Sequence, residues 1–292
     1  VENGESFYLH AGESVPITDF EVPRVRHNYK ETSDDKAAWD SLMNAIADGI
    51  SSGEMTKVVS SREVQFTSET PYNVASVLAN LVDNNPNCFI FGYEKDGRTF
   101  VGASPEILVR HRGSEILSYA LAGTAPKHGL NAWTKDQLLT DKKNLFEHNI
   151  VRDRIVDIMK SITPEVIIGE TGIMELAHLY HLRTIITAKD STKSLVEWAK
   201  LLHPTPALGG EPREKALALL QKYEAHERGM YAAPFGFMKD MGDGIVIVAI
   251  RSALIMDNVL YAYAGCGVVA DSDADEEYAE TNNKMRTILD AL

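Results

Sequence analysis

The chain is poor in cysteine and has no long apolar run. Its two cysteines, Cys88 and Cys266, lie far apart in sequence and predict neither a disulfide framework nor a metal-ligand cluster. This usage is typical of a reducing compartment, so we expect a cytoplasmic protein. No stretch approaches the roughly 18 uninterrupted apolar residues of a membrane span, and residues 1–5 lack the basic and apolar regions of a secretion signal. Membrane anchoring is therefore not expected.

Basic residues are also scarce. The sequence has 29 lysine and arginine residues against 42 aspartate and glutamate residues, for a formal net charge of -13. A chain this acidic lacks the positive surface that binds a phosphate backbone or an anionic membrane. We therefore expect no nucleic acid and no membrane among its partners.

The periodicity of apolar residues predicts grouped helices and strands. Helical spacing predicts helices at 35–51, 73–84, 132–161, 193–202, 213–224 and 274–291. Runs rich in β-branched residues predict strands at 56–64, 87–93, 99–110, 114–121, 165–169, 174–187, 245–255 and 258–264. Turn signals at Asp96-Gly97 and Arg112-Gly113 join three of these strands into a predicted antiparallel meander.

This order of elements indicates the fold class. It does not follow the strict βαβ alternation of a doubly wound sheet, so we expect an α+β fold with large, mainly antiparallel, sandwich-like sheets flanked by helices. Residues 1–34 contain glycines and prolines without sustained periodicity, which predicts an irregular N-terminal segment with one short strand. Residues 35–292 form the predicted main domain.

Three charged residues near the C-terminus share one face of a predicted helix. Glu277, Glu280 and Lys284 stand at positions i, i+3 and i+7. They could form ordinary ion pairs on a solvated face. The preceding strand runs into small residues that include Gly265 and Gly267, whose lack of side chains would let backbone N–H groups approach an anion, although glycines also simply form turns. Both interpretations remain open from spacing alone.

A further carboxylate, Glu147, lies among apolar residues of the long predicted helix, next to His148. A carboxylate in such surroundings is costly unless it is paired, metal-bound or at an exposed edge. Glu147 and Glu280 would suit Mg²⁺, which uses few protein carboxylates and often bridges to an anionic ligand. Sequence separation leaves open whether the two residues meet.

Three other charged residues interrupt apolar strands. Lys57 could be an interior base with a lowered pKa or a lysine on an edge strand. Glu106 could be a general acid or a strand-end charge. Arg251 stands inside an apolar run, where its guanidinium needs a partner such as a carboxylate.

Taken together, these segments resemble the chorismate-binding enzymes, a family that includes isochorismate, salicylate, anthranilate and aminodeoxychorismate synthases. The resemblance extends in order from about residue 35 to 291. Any one segment is weak evidence, but seven in the family's order are specific. The segments are Lys57-Val58-Val59-Ser60-Ser61-Arg62, Gly102-Ala103-Ser104-Pro105-Glu106, Leu121-Ala122-Gly123-Thr124, Lys143-Asn144-Leu145-Phe146-Glu147-His148, Ala249-Ile250-Arg251, Ala264-Gly265-Cys266-Gly267-Val268-Val269 and Glu280-Thr281-Asn282-Asn283-Lys284.

The resemblance implies a role for each candidate residue. It makes Glu147 and Glu280 ligands of Mg²⁺, with Glu277 as an outer-shell helper, because the ring carboxylate of chorismate would otherwise be repelled by these glutamates. It also implies a set of substrate-binding residues, namely Thr124, His181, Arg251, Gly265, Gly267 and Lys284. Family chains carry further N-terminal strands, whereas only about 56 residues precede Lys57 here. We therefore expect some N-terminal strands of the fold to be missing.

Two positions discriminate among family members. Anthranilate synthases carry glutamine where this chain has Lys57, since their nucleophile is ammonia, and a lysine there suits the activation of water. Lysine-dependent aminodeoxychorismate synthases carry a nucleophilic lysine where Ala122 stands. The resemblance therefore implies an isochorismate synthase of a menaquinone or siderophore pathway, with no obligatory amidotransferase subunit. In this reaction Lys57 is the base for addition of water at ring C2, and Glu106 is the acid for loss of the C4 hydroxyl.

Two other functions stay open. A salicylate synthase forms isochorismate in a similar site and then eliminates pyruvate, so these segments do not separate the two enzymes. A non-catalytic chorismate-binding fragment or paralogue is the third interpretation. Every catalytic position that we can assign carries an active residue type, which favours an enzyme.

Overall fold

The structure is a computed structural model that describes residues 22, 24–239 and 242–292. Most of the predicted irregular segment 1–34 lies outside the described residues. The part that is described includes a short strand, β1 (Tyr29–Glu31). Within the described ranges, no helix is long and apolar enough to cross a membrane.

The chain forms an α+β fold, as its sequence predicts. Helices α1 to α7 span Lys36–Ser51, Val74–Asn84, Lys135–Thr140, Lys142–Lys160, Leu195–Leu202, Arg213–Tyr223 and Ala274–Leu289. Strands β2 to β14 span Lys57–Ser68, Phe89–Lys95, Arg98–Ser104, Ile107–Arg112, Glu115–Pro126, Val166–Ile168, Gly172–Glu175, Leu179–Lys189, Gly210–Glu211, Pro234–Met238, Gly244–Val248, Ser252–Met256 and Val259–Val268.

The strands form two seven-stranded antiparallel sheets. The first has the order β1-β2-β14-β13-β4-β3, with β10 also paired to β2, and the second has the order β11-β12-β5-β6-β9-β7, with β8 also paired to β9. The largest apolar cluster contains side chains of both sheets, including Phe100 and Tyr263 from the first and Val109 and Ile116 from the second. Burial of these two inner faces holds the sheets together.

Helices cover the outer surfaces and bring charged residues to the sheets. Helix α4 packs on β6 and β9, and α7 packs on β14. The apolar stripe of α4, which includes Val151, Ile155 and Met159, belongs to the main core. Met285 and Ile288 of α7 are buried in a second cluster with residues of β2 and β14. This packing therefore fixes the charged residues of each helix relative to the strands beneath it.

The predicted meander at 87–121 is wrong. The run predicted as one strand at 99–110 is two strands, β4 and β5, which lie in different sheets. The chain leaves the first sheet at Pro105, because proline has no N–H to donate to a strand ladder. Both halves are largely buried, so the apolar pattern reads as continuous across the break.

Four other predicted boundaries need correction. The run predicted as one strand at 174–187 covers parts of two strands, β8 and β9. The run at 245–255 is divided into β12 and β13 by a segment in which Arg251 has a positive φ of 53°. The helix predicted at 132–161 is divided at Asp141, whose extended backbone and side chain cap the N-terminus of α4. The strand predicted at 258–264 ends later than expected, since β14 runs through Gly265 and Gly267 to Val268. Strands β10 and β11 had no sequence prediction.

Candidate active site

One pocket contains most of the predicted residues. It lies where the breaks between β4 and β5 and between β12 and β13 face the start of β2 and the end of β14. Its lining includes most of the residues that the sequence singles out, namely Lys57, Glu106, Thr124, Glu147, His181, Arg251, Gly265, Gly267 and Lys284. Glu277 and Glu280 lie in an adjoining groove, which shares Thr124 with the pocket. The tertiary structure thus brings the predicted residues to one place.

Lys57 is an interior residue, so the edge-strand interpretation is wrong. It begins β2 between β14 and β10, and its side chain is fully buried. Its Nζ atom lies 3.0 Å from Oε1 of Glu147, although the ammonium makes no hydrogen bond of good geometry there or elsewhere among the described residues. The ammonium is held by charge alone, which leaves its N–H donors free for another group.

Gly267 makes this ion pair possible. A Cβ atom at this position would overlap Oε1 of Glu147 and would stand 2.7 Å from Cε of Lys57. The residue lies in an extended strand, so its lack of a side chain provides space and not a turn. Gly265 is also crowded, because a Cβ there would come within 2.5 Å of the Ser60 carbonyl oxygen.

Replacing Gly267 by alanine is expected to separate Lys57 from Glu147. Overpacking of a buried site costs about 1–3 kcal/mol, and the displaced groups here are both charged. We expect a loss of that size in the free energy of unfolding, measured by urea denaturation, and a fall in turnover. Gly172→Ala, where an added Cβ would meet no atom within 4 Å and φ is not positive, is the control for glycine loss. Turnover at the wild-type level in Gly267→Ala would contradict the packing argument.

Glu106 is a buried acid directly after the break in the strand. Ser104 Oγ accepts a hydrogen bond from its backbone N–H at 3.2 Å, and the Glu106 carbonyl accepts one from Val248 N at 3.1 Å. Burial raises the pKa of Glu106 to about 7, against the opposing charges of Arg251, Lys57 and Lys284. A substantial protonated fraction at neutral pH is the state that a general acid requires.

This raised pKa predicts a pH-dependent stability. The folded protein holds the Glu106 proton up to about pH 7, whereas the unfolded chain releases it near 4.5. The contribution is thus complete below about pH 4.5 and is lost as the pH rises through about 7. Relative to Glu106→Gln, the free energy of unfolding of the wild type should fall by about 3 kcal/mol across this window. Denaturation of both proteins at several pH values measures it, and parallel curves would contradict it.

Arg251, His181 and Thr124 form a hydrogen-bonded chain. Arg251 NH2 donates to His181 Nε2 at 2.7 Å, which leaves His181 Nδ1 to donate to Thr124 Oγ1 at 3.0 Å. Burial lowers the pKa of His181 well below its ordinary value, and the cations of Arg251 and Lys284 add to the effect. The imidazole is therefore neutral. Nε of Arg251 is buried without a hydrogen-bond partner among the described residues. Its N–H donor is therefore free to bind an anion.

His148 anchors the helix that carries Glu147. Its Nδ1 lies 3.1 Å from the Ala122 carbonyl oxygen, and its Nε2 lies 2.8 Å from Thr184 Oγ1. Burial lowers the pKa of His148 to about 4, so the neutral ring links α4 to β6 and β9. This link orients the neighbouring carboxylate.

The charged face of α7 points inward and is not a solvated face. Lys284 Nζ donates to the Gly265 carbonyl oxygen at 2.8 Å and lies 2.6 Å from Oε1 of Glu280. Glu277 is buried, and Lys143 Nζ donates to its Oε1 at 2.7 Å. The hydrogen bond from Lys284 to Gly265 ties the helix to β14 beside the pocket.

The charges of three carboxylates interact with one another, and each carboxylate pairs with a different lysine. Glu147 pairs with Lys57, Glu277 with Lys143 and Glu280 with Lys284. Burial raises the pKa of Glu277 to about 7, and the charges of Glu280 and Glu147 raise it further against that of Lys143. Their arrangement places no three His, Cys, Asp or Glu side chains of the described chain within reach of one metal ion. The donor chemistry, carboxylate oxygens with excess negative charge, nevertheless fits a hard divalent cation held by two of them.

Sequence reasoning missed several residues of the pocket. Tyr231 and Arg228 line it from the segment that follows α6. Arg228 donates to the carbonyl oxygens of Val59, at 2.7 Å, and Leu208, at 2.6 Å. It thereby fixes β2 two residues beyond Lys57. A charged residue in a short loop gave no periodic signal that could have identified this role.

The fold and the site define a class of protein. It has two antiparallel sheets with helices outside, a buried acid and a buried lysine in one pocket, and buried cations suited to a small polyanion. The family model of chorismate binding enzymes matches residues 14–292, and the chain belongs to that family. The resemblance drawn from the seven segments is thereby confirmed.

Relatives with known names support this membership. The chain is 37% identical over 264 residues to the isochorismate synthase MenF of Bacillus subtilis, an alignment that covers 88% of this chain and 56% of that protein. A Bacillus anthracis structure described as a 2,3-dihydroxybenzoate-specific isochorismate synthase, DhbC, superposes with a TM-score of 0.86 at 30% identity, over 92% of this chain and 75% of that one.

A second solved structure gives a similar result. The menaquinone-specific isochorismate synthase MenF of Escherichia coli superposes with a TM-score of 0.82 at 29% identity, over 94% of this chain and 66% of that chain. The predicted fold class is confirmed by these superpositions. The chain spans little more than half of the length of the Bacillus subtilis relative.

Proposed function

We propose that the protein is an isochorismate synthase, which converts chorismate to isochorismate. The observation that carries this proposal is the presence of buried Lys57 and buried Glu106 in the lining of one pocket. Addition of water at one ring carbon and loss of a hydroxyl from another need a base and an acid that act on the same substrate. The names of the relatives above, all isochorismate synthases, support the same reaction.

The chemistry needs one proton removed and one supplied. Lys57, in its neutral form, accepts a proton from water as the oxygen bonds to ring C2. Glu106, in its protonated form, gives its proton to the C4 hydroxyl as the C4–O bond breaks and the ring double bonds shift. One water enters and one leaves, so the product is an isomer of the substrate. The raised pKa of Glu106 supports its part in this scheme.

The substrate carboxylates need cationic partners. Arg251 has a buried Nε atom without a partner, and its NH2 is oriented by His181. We assign one carboxylate of chorismate to Arg251, Lys284 and the backbone at Gly265 and Gly267. Thr124 and His181 contact the substrate in the same scheme. Arginine suits such a site because its planar fork matches a carboxylate.

Mg²⁺ is proposed as the cofactor, held by Glu147 and Glu280, with Glu277 supporting them from the adjoining groove. When bound, the ion would neutralise the glutamates and attract the ring carboxylate of the substrate. Burial raises the pKa of Glu277, and the negative charges of Glu280 and Glu147 raise it further. This concentration of negative charge supports a cation at this place.

Incubation with chorismate and Mg²⁺, followed by chromatographic identification of the product, tests the proposal. Isochorismate is the expected product. Accumulation of fluorescent salicylate and pyruvate would identify a salicylate synthase instead, and no turnover would favour a non-catalytic chorismate-binding protein. Omission of Mg²⁺ with EDTA in the buffer is expected to abolish turnover.

The cellular setting follows as part of the same proposal. Isochorismate feeds menaquinone or siderophore synthesis, and water as the nucleophile requires no amidotransferase subunit. A cytoplasmic location is supported by Cys88 and Cys266, which are both free thiols.

A further inference from the structure

We infer that Lys143 is a built-in counter-ion of the three glutamates Glu147, Glu277 and Glu280, and that it competes with a divalent cation for them. This inference rests on the proposed Mg²⁺ dependence. It assigns a role to a residue of the Lys143 to His148 segment that the catalytic scheme leaves unused.

The surroundings of Lys143 are those of a cation inside an acidic cluster. It stands in the first turn of α4, one helical turn before Glu147, and its Nζ is 2.7 Å from Oε1 of Glu277. Glu277 and Glu280 line the same groove as Lys143, and the negative charges of Glu277, Glu280 and Glu147 all act on its ammonium.

Lys143 is the most exposed of the three lysines that pair with these glutamates. Its side chain is 26% exposed, against 1% for Lys57 and 9% for Lys284. Lys284 also donates to a backbone carbonyl of β14, whereas the one described hydrogen bond of Lys143 is to Glu277. Lys143 lines the open groove beside the pocket. It can therefore swing into solvent when another cation takes its place.

The competition has an electrostatic cause. A lysine ammonium among the glutamates lowers their net charge and so weakens the attraction of the site for Mg²⁺. In the metal-free protein the same ammonium keeps Glu277 from being a buried, unpaired carboxylate. Removal of Lys143 should therefore strengthen Mg²⁺ binding and weaken the metal-free fold.

The test compares Lys143→Gln with Lys142→Gln in the full chain. Lys142 is the exposed neighbour in the same helical turn, so the two variants lose the same charge. Isothermal titration with Mg²⁺ should give a Kd for Lys143→Gln that is lower by on the order of tenfold. Its melting temperature in EDTA should fall below that of the wild type. Lys142→Gln should match the wild type in both measurements, and Lys143→Arg should restore both.

The possible failures are distinguishable. An unchanged or weaker Mg²⁺ affinity in Lys143→Gln, with normal binding by the wild type, would overturn the competition and leave the proposed function intact. No Mg²⁺ binding by any of the proteins would overturn the metal dependence and the competition together. If Lys143→Gln is unfolded in EDTA, circular dichroism should show refolding on addition of Mg²⁺. Failure to refold at any Mg²⁺ concentration would contradict the inference.

Discussion

Lys57→Ala is expected to lower kcat for isochorismate formation by about 10²–10⁴-fold, because it removes the base that accepts a proton from water. It should also lower the free energy of unfolding by about 3–5 kcal/mol, since Glu147 would be left as a buried charge without its partner. Steady-state assays with saturating Mg²⁺ measure the first effect, and urea denaturation measures the second.

Lys57→Arg separates these two effects. Arginine keeps a positive charge beside Glu147 but does not lose its proton at physiological pH, so it cannot act as a base. We expect stability closer to that of the wild type, with kcat as low as in Lys57→Ala. A Lys57→Arg protein with near wild-type turnover would show that the lysine acts only as a charge.

Glu106→Gln is expected to lower kcat by a similar factor of about 10²–10⁴, because the amide cannot give a proton to the leaving hydroxyl. Its effect on folding should be the opposite of that of Lys57→Ala. Glutamine has the shape of the protonated acid and no charge, so the variant should be at least as stable as the wild type at pH 7 and above. Product assays and denaturation at pH 8 measure the two effects.

Turnover, stability and binding together decide the role of Glu106. A kcat within about threefold of the wild type would remove Glu106 from the reaction, since a general acid contributes far more than that. A large loss of stability at pH 8 would instead indicate a structural charge. Substrate binding should be little changed, because Arg251 and Lys284 supply the proposed carboxylate contacts.

Much of the site could be predicted because it depends on local order in the chain. The spacing of Glu277, Glu280 and Lys284 puts them on one helix face whatever that face contacts. The small residues that follow the predicted strand at 258–264 mark Gly265 and Gly267 as positions where backbone N–H groups could approach an anion. The residues found at two positions, Lys57 and Ala122, also distinguish family members without any coordinates.

The breaks in the strands could not be predicted. The apolar pattern at 99–110 continues across Pro105 and Glu106 because both halves are largely buried, so periodicity alone does not report the change of sheet. The same holds at Arg251, whose positive φ depends on the contacts that surround it. These breaks shape the candidate site, since Glu106 and Arg251 line the same pocket.

The sequence by itself determined the family, the fold class and the chemical types at each position, because these depend on residue identity and order along the chain. Only the tertiary structure decided that Lys57 is interior and paired with Glu147, that Gly267 provides the space for that pair, and that Lys143 faces three glutamates. Such pairings join residues far apart in sequence. They are set by how two sheets and two helices pack, and no local pattern in the chain encodes that packing.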